Sequence, residues 1–232
     1  MLENEAVLKI FLDPRPDSDA LYHHYGVHLK NCVCLQLAEI AVRRQPRPTL
    51  HGYVNGGRKI ILAYGELDVR EREEYADIEE KGKQLLFPDQ GGSYGNLTRR
   101  PLDPVAAQYS ALATSYLMPV YVNLEKKLTE PGKNWVMEES RKRVEECLLP
   151  KFGGLDYFSR MSLKSGGKVV KIISTQNELL EMVQLLNHGN PSQVAVNVDG
   201  EEPSRDGTVV LLALSWNCYT TYVVDVQVGL LY

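Results

Sequence analysis

Cysteine is scarce: Cys32, Cys34, Cys147 and Cys218 are the four in a chain of 232 residues. None has the C-x-x-C spacing of a zinc or thioredoxin-type site, so they read as reduced core thiols of an intracellular protein. Long apolar runs are missing too. No segment approaches the roughly 18 apolar residues that span a bilayer, and the opening "MLENEAVLKIF" is too acidic and too short in apolar length for a secretory signal. An excess of positive charge is also absent. Lys and Arg total 26 against 30 Asp and Glu, a formal net charge of −4, so any nucleic-acid binding must rest on local patches. The expectation is a cytoplasmic or nuclear protein without a membrane partner. What is present, 44% hydrophobic and 24% charged residues, has the composition of one largish globular domain over 1–232.

Along the chain, helix and strand signals mix. "AVLKIFLD" (Ala6 to Asp13) is a short apolar run that reads as a buried strand. "DSDALYHHYG" carries helix-start residues and ends on Gly26, a C-cap residue. "NCVCLQLAEIAVRR" passes from strand to helix. The charge-rich segment Gly65 to Gly82 reads as a solvated helix or lid. After Pro101 and Pro104, the residues Val105, Tyr109, Leu112, Tyr116, Val120 and Leu124 recur at helical spacing, giving one long amphipathic helix. "ELLEMVQLLNHG" is a second amphipathic helix, and "QVAVNVDG", "GTVVLLALSW" and "TTYVVDVQVG" follow it as three strands in hairpin order. The sum is a mixed α/β or α+β domain.

Three stretches carry a resemblance. "VAVNVDGEEPSRDGTVVLLALS" with "TYVVDV" resembles the first motif of the ribonuclease D-like 3′–5′ exonuclease domains of the DEDD superfamily, in which a strand bears Asp-x-Glu-Gly before a Ser-Arg-x-Gly turn. "KIFLDPRPDSDALYHHYGVHLKNCVCLQLAEIA" resembles the second motif region. "GGSYGNLTRRPLDPVAAQYSALATSYLMPVY" resembles the third, an Arg-Pro-Leu segment leading into a helix with Tyr-x-x-x-Asp. Together they cover most of the chain and imply a ribonuclease H-like fold with a central mixed sheet flanked by helices.

Residues two apart on a strand face the same way, so Asn197 and Asp199 project together from one side. In an active relative these positions and one acid from each other motif would hold two Mg²⁺ or Mn²⁺ ions. One ion activates water and the other steadies the leaving oxygen, and such ions require hard anionic oxygens. Mapped onto this chain, the resemblance exposes losses. Asn197 stands at the Asp position and Asp199 at the Glu position. The second-motif acid is best placed at Asp19, with Asp17 and Asp13 as other occupants. Tyr109 keeps the third-motif Tyr, but Ala113 stands where its Asp should be. A site left with Asp199 and Asp19 should bind metal weakly, and no cofactor is expected unless the chain is active.

The motif order is second, third, first. The resemblance therefore implies circular permutation, with 1–150 carrying the second and third motifs, 151–168 a new linker and 169–232 the first, or else a slice across tandem copies. Arg99, Arg100, Arg141 and Arg143, with the "EKK" near Lys126, are candidate phosphate contacts, although solvated faces are the default reading. His23, His24 and His28 read as packing or surface histidines. Three functions stay open: a catalytically degenerate domain acting as an adaptor for a protein partner, a second copy or single-stranded RNA or DNA; an active metal-dependent 3′–5′ exonuclease using Asp19, Asp199 and Glu201 or Glu202; and a structural assembly module. The shortened connection between the "VVDVQVG" and "LKIFLD" strands should uncover apolar surface and favour a homodimer.

Overall fold

Leu8–Phe11 forms strand β1 in the computed structural model, which describes residues 1–45, 48, 53–146, 148, 169–173, 175–189, 191–200, 209–216 and 220–226. Five more strands join it: β2 (Cys32–Cys34), β3 (Val169–Ile173), β4 (Gln193–Gly200), β5 (Val209–Ser215) and β6 (Thr220–Asp225). They make one sheet in the order β2-β1-β4-β5-β6-β3. β4, β5 and β6 run antiparallel to their neighbours in the meander, while β1 lies parallel between β2 and β4. β3 pairs parallel with β6 at the far edge. The Val194 and Leu8 runs lie side by side, with Leu8 opposite Gln193 and Ile10 opposite Ala195.

Parallel strands are buried on both faces, and β1 obeys even at its charged residue. Lys9 is fully buried, and its ammonium donates to the carbonyls of Asn4 at 2.6 Å and Val7 at 2.7 Å. Those bonds satisfy donors that burial would otherwise leave orphaned.

Helices cover both faces. On one side α2 (Leu35–Arg43), α3 (Gly57–Tyr64), α4 (Val69–Leu86) and α5 (Pro104–Glu125) share a core with Ile10, Leu12, Ala195, Leu211, Ala213 and Val223. On the other, Phe11, Val194, Val196, Leu214 and Val224 meet Leu21 of α1 (Pro14–Tyr25), Val144 of α6 (Glu130–Glu146) and Met182 of α7 (Gln176–Gly189). The result is an α/β fold with a mixed sheet between helical layers.

Local chemistry starts and stops these helices. Asp13 caps α1 by accepting from the Arg15 N–H, Pro14 fills the first position, and Gly26 ends the helix at φ 65°, a left-handed conformation suited to glycine. α4 begins with a capping box between Asp68 and Glu71. The stripe expected for α5 is buried at Tyr109, Leu112, Tyr116, Val120 and Leu124. One expectation needs correction: the charge-rich 65–82 segment is helical over Val69–Leu86, but it is not solvated all round. Tyr75, Ile78, Gly82 and Leu86 are buried, forming an apolar stripe narrow enough to be masked by the surrounding charges. The proposed linker 151–168 lies outside the described residues.

Candidate functional site

β4 occupies the middle of the sheet, and its alternation decides what it offers. Ala195 belongs to the core beneath α5, so Asn197, two residues on, shares the α5 side, while Asp199 is described by its backbone pairing alone. They stand opposite Ala213 and Leu211 of β5, and the register shifts between Asp199 and Gly200.

β1 ends at Phe11, before the C-terminal half of β4, and a side chain takes over from it. Asp17, in the first turn of α1, accepts the Val198 N–H at 2.8 Å. This ties α1 to β4. Asp19 is fully buried, with its Oδ1 3.4 Å from Nε2 of His23 one turn on. Asp13 accepts from Arg15 Nε at 2.9 Å and Nη2 at 2.7 Å besides capping the helix. Among the candidate acids, Asp17 is thereby bonded to β4.

On the opposite side, α5 packs against β4 and β5. Tyr109 is buried between helices, with its ring where a Cβ on Gly82 of α4 would sit and edge-on to Phe87 at 6.2 Å. Ala113 follows one turn later in the same helix. Flanking it, Ser110 Oγ and Thr114 Oγ1 are buried without a hydrogen-bond partner among the described residues. Ser115 donates to the Ala111 carbonyl and shares a 2.8 Å bond with Thr221 of β6. The α5 residues around Ala113 thus bring hydroxyls and methyls, not carboxylates.

The basic candidates divide. Arg99 is exposed, and Arg100 donates to the carbonyls of Leu97 and Arg99. Arg141 pairs with Glu138 and Glu145 on its own helix. Arg143 turns inward: it is 8% exposed, 3.6 Å from Asp13 Oδ1, and donates to Cys34 Sγ at 3.1 Å and Gln36 Oε1 at 3.2 Å. It clamps α6 onto β2 and the start of α1 and α2. Burial raises the Cys34 thiol pKa and pushes that of Cys32 up to about 12, which keeps both as unreactive thiols. His23 and His28 pack edge-on around Tyr22, at 5.1 and 4.6 Å.

Asp17 as the link to β4, the Ser115–Thr221 bond and the inward Arg143 are contacts between residues remote in sequence, and no local pattern announces them. At the positions the resemblance would give to metal ligands, residue 197 is an asparagine and residue 113 an alanine, and Asp19 Oδ1 lies 3.4 Å from His23 Nε2. Among the described residues, no three His, Cys, Asp or Glu side chains gather as a metal group. No protein-family model, curated protein or solved structure matches the chain.

Proposed function

We propose that this chain is a catalytically degenerate 3′–5′ exonuclease-like domain of ribonuclease H-like type, with its motifs in permuted order, that acts by binding and not by cutting. One observation carries the reading: the three motif segments converge on β4 but bring too few acids. The second-motif helix reaches the strand through Asp17 and Val198, the third-motif helix packs across it, and Asn197 and Ala113 stand where anionic ligands would be needed. The parallel pairing of β1 with β4, far apart in sequence, supports a permuted order. Exposed Leu180, Val183 and Leu185 on α7 and Ile172 on β3 supply apolar surface for a protein partner or a second copy.

The test is a labelled single-stranded oligonucleotide incubated with the protein and Mg²⁺ or Mn²⁺. The expected result is no stepwise shortening from the 3′ end. A ladder made by the unmodified protein and lost in Asp19→Ala would overturn the proposal.

A further inference from the structure

We propose that the end of the molecule formed by the last turn of α2, the first turn of α3 and the α5–α6 turn is a binding surface for single-stranded nucleic acid, separate from the β4 site. Between Glu39 and Glu66, the longest acid-free stretch of the chain, there are five Lys or Arg residues. In a chain of net charge −4, that is a local concentration of positive charge.

The fold gathers part of this stretch around one exposed ring. Arg43 Nη2 donates to the Tyr53 carbonyl at 3.2 Å, and Gln45 Nε2 donates to the Lys127 carbonyl at 2.8 Å. Tyr53 and Lys127 are thereby both drawn to the α2 terminus. Tyr53 is 62% exposed. The Arg43 guanidinium lies 4.7 Å and the Lys59 ammonium 5.2 Å from its ring centre. Arg43 is held by Glu39 through bonds of 2.7 and 3.0 Å, so it braces the ring. Lys59, Lys126 and Lys127 are exposed, and none has a carboxylate partner among the described residues. Arg58 differs, being held by Glu79 at 2.7 Å.

Single-stranded nucleic acid matches both halves of this surface: a base stacks on an aromatic face while phosphates draw the cations. The Lys59 contact with the ring is exchangeable, since an ammonium displaced by a stacking base gains a phosphate in its place. An acidic peptide would use the cations and leave the ring idle. Lipid is a poorer match, because Val54, 39% exposed, adds little apolar area for insertion. The inference rests on the reading above only for the expectation that a bound strand stays uncut.

Anisotropy of a labelled uridine oligomer of about 12 nucleotides, within the span such surfaces cover, tests it in EDTA over a series of KCl concentrations. The logarithm of the binding constant should fall against that of salt with a slope near −2, as about three phosphate contacts at ~0.7 each require. Tyr53→Ala should weaken binding about tenfold while Tyr53→Phe keeps it within about twofold, because the ring and not the hydroxyl is used. Lys59→Glu with Lys127→Glu should weaken it by more than about tenfold and flatten the slope. All these side chains are at the surface, so circular dichroism of each variant should match the parent. Absence of binding, binding indifferent to Tyr53, or equally tight binding of labelled polyglutamate would overturn the assignment. Shortening of the oligomer in Mg²⁺ with the Tyr53 dependence intact would refute catalytic silence and leave this surface standing.

Discussion

Asp17 shows how one side chain can extend a sheet. Where β1 stops, its carboxylate accepts the Val198 N–H, and 8% exposure makes that bond hard for water to replace. Removing the acceptor leaves a poorly solvated donor in the central strand. Asp17→Ala should therefore cost about 1–3 kcal/mol, whereas Asp17→Asn, which keeps an oxygen, should cost less. Urea denaturation midpoints at unchanged slope measure both. The alternation that places Asn197 on the face of Ala195 was legible in "VAVNVDG", because strand periodicity is a local property. That Asp17, from among Asp13, Asp17 and Asp19, accepts from that strand was not legible. All three sit within one helical start, and the choice depends on how α1 docks.

The contact between α4 and α5 works at the scale of elements. Gly82 stands inside α4, where glycine is poor for a helix, and the reason lies across the interface: a Cβ there would fall 1.9 Å from Tyr109 Cδ2. Gly82→Ala should destabilise by about 1–3 kcal/mol through overpacking. Combining it with Tyr109→Leu should cost clearly less than the two changes summed, because the second relieves the first. A double-mutant cycle by thermal melting gives the coupling.

Elements with local signals were readable, and those without were not. α1 carries its own punctuation in Asp13, Pro14 and Gly26, and α5 has a long stripe of large side chains. α6 has neither; its buried residues are Gly132, Val136, Ser140, Arg143 and Val144, too small or too polar to stand out. Ser140 holds α6 in place by accepting the Cys34 N–H at 3.0 Å, a bond visible only once both elements are placed. β3 escaped notice because five residues, "VVKII", make a strand only when β6 is beside them.

For the whole molecule, burial sets an alkaline limit on stability. The Cys32 thiol is pushed up to about 12 from an ordinary value of 9.0 by burial. Between those values the folded chain keeps a proton that the unfolded chain has released, so stability is full below about pH 9 and is lost as pH climbs towards 12. Burial raises Cys34, Tyr75 and Tyr121 in the same direction. Lys9, lowered by burial, acts the opposite way, since its folded form releases a proton first. The balance should be a lower urea midpoint at about pH 10.5 than at about pH 8, with a smaller difference in Cys32→Ala. The comparison of differences cancels whatever packing the substitution itself removes.

The pairing of Leu8 with Gln193 sets a timetable for synthesis. A ribosome makes β1 and β2 almost together, but the strand that flanks β1 on its other side emerges only after α2 to α7 and β3 have been made. Until then the new sheet has an open hydrogen-bonding edge of apolar residues, Ile10 and Phe11 among them. Closing that edge late is slow, because the contact spans most of the chain, and open edges invite pairing with the wrong neighbour. Yield in the cell should therefore follow the supply of holding chaperones during translation more closely than it follows the stability of the finished fold.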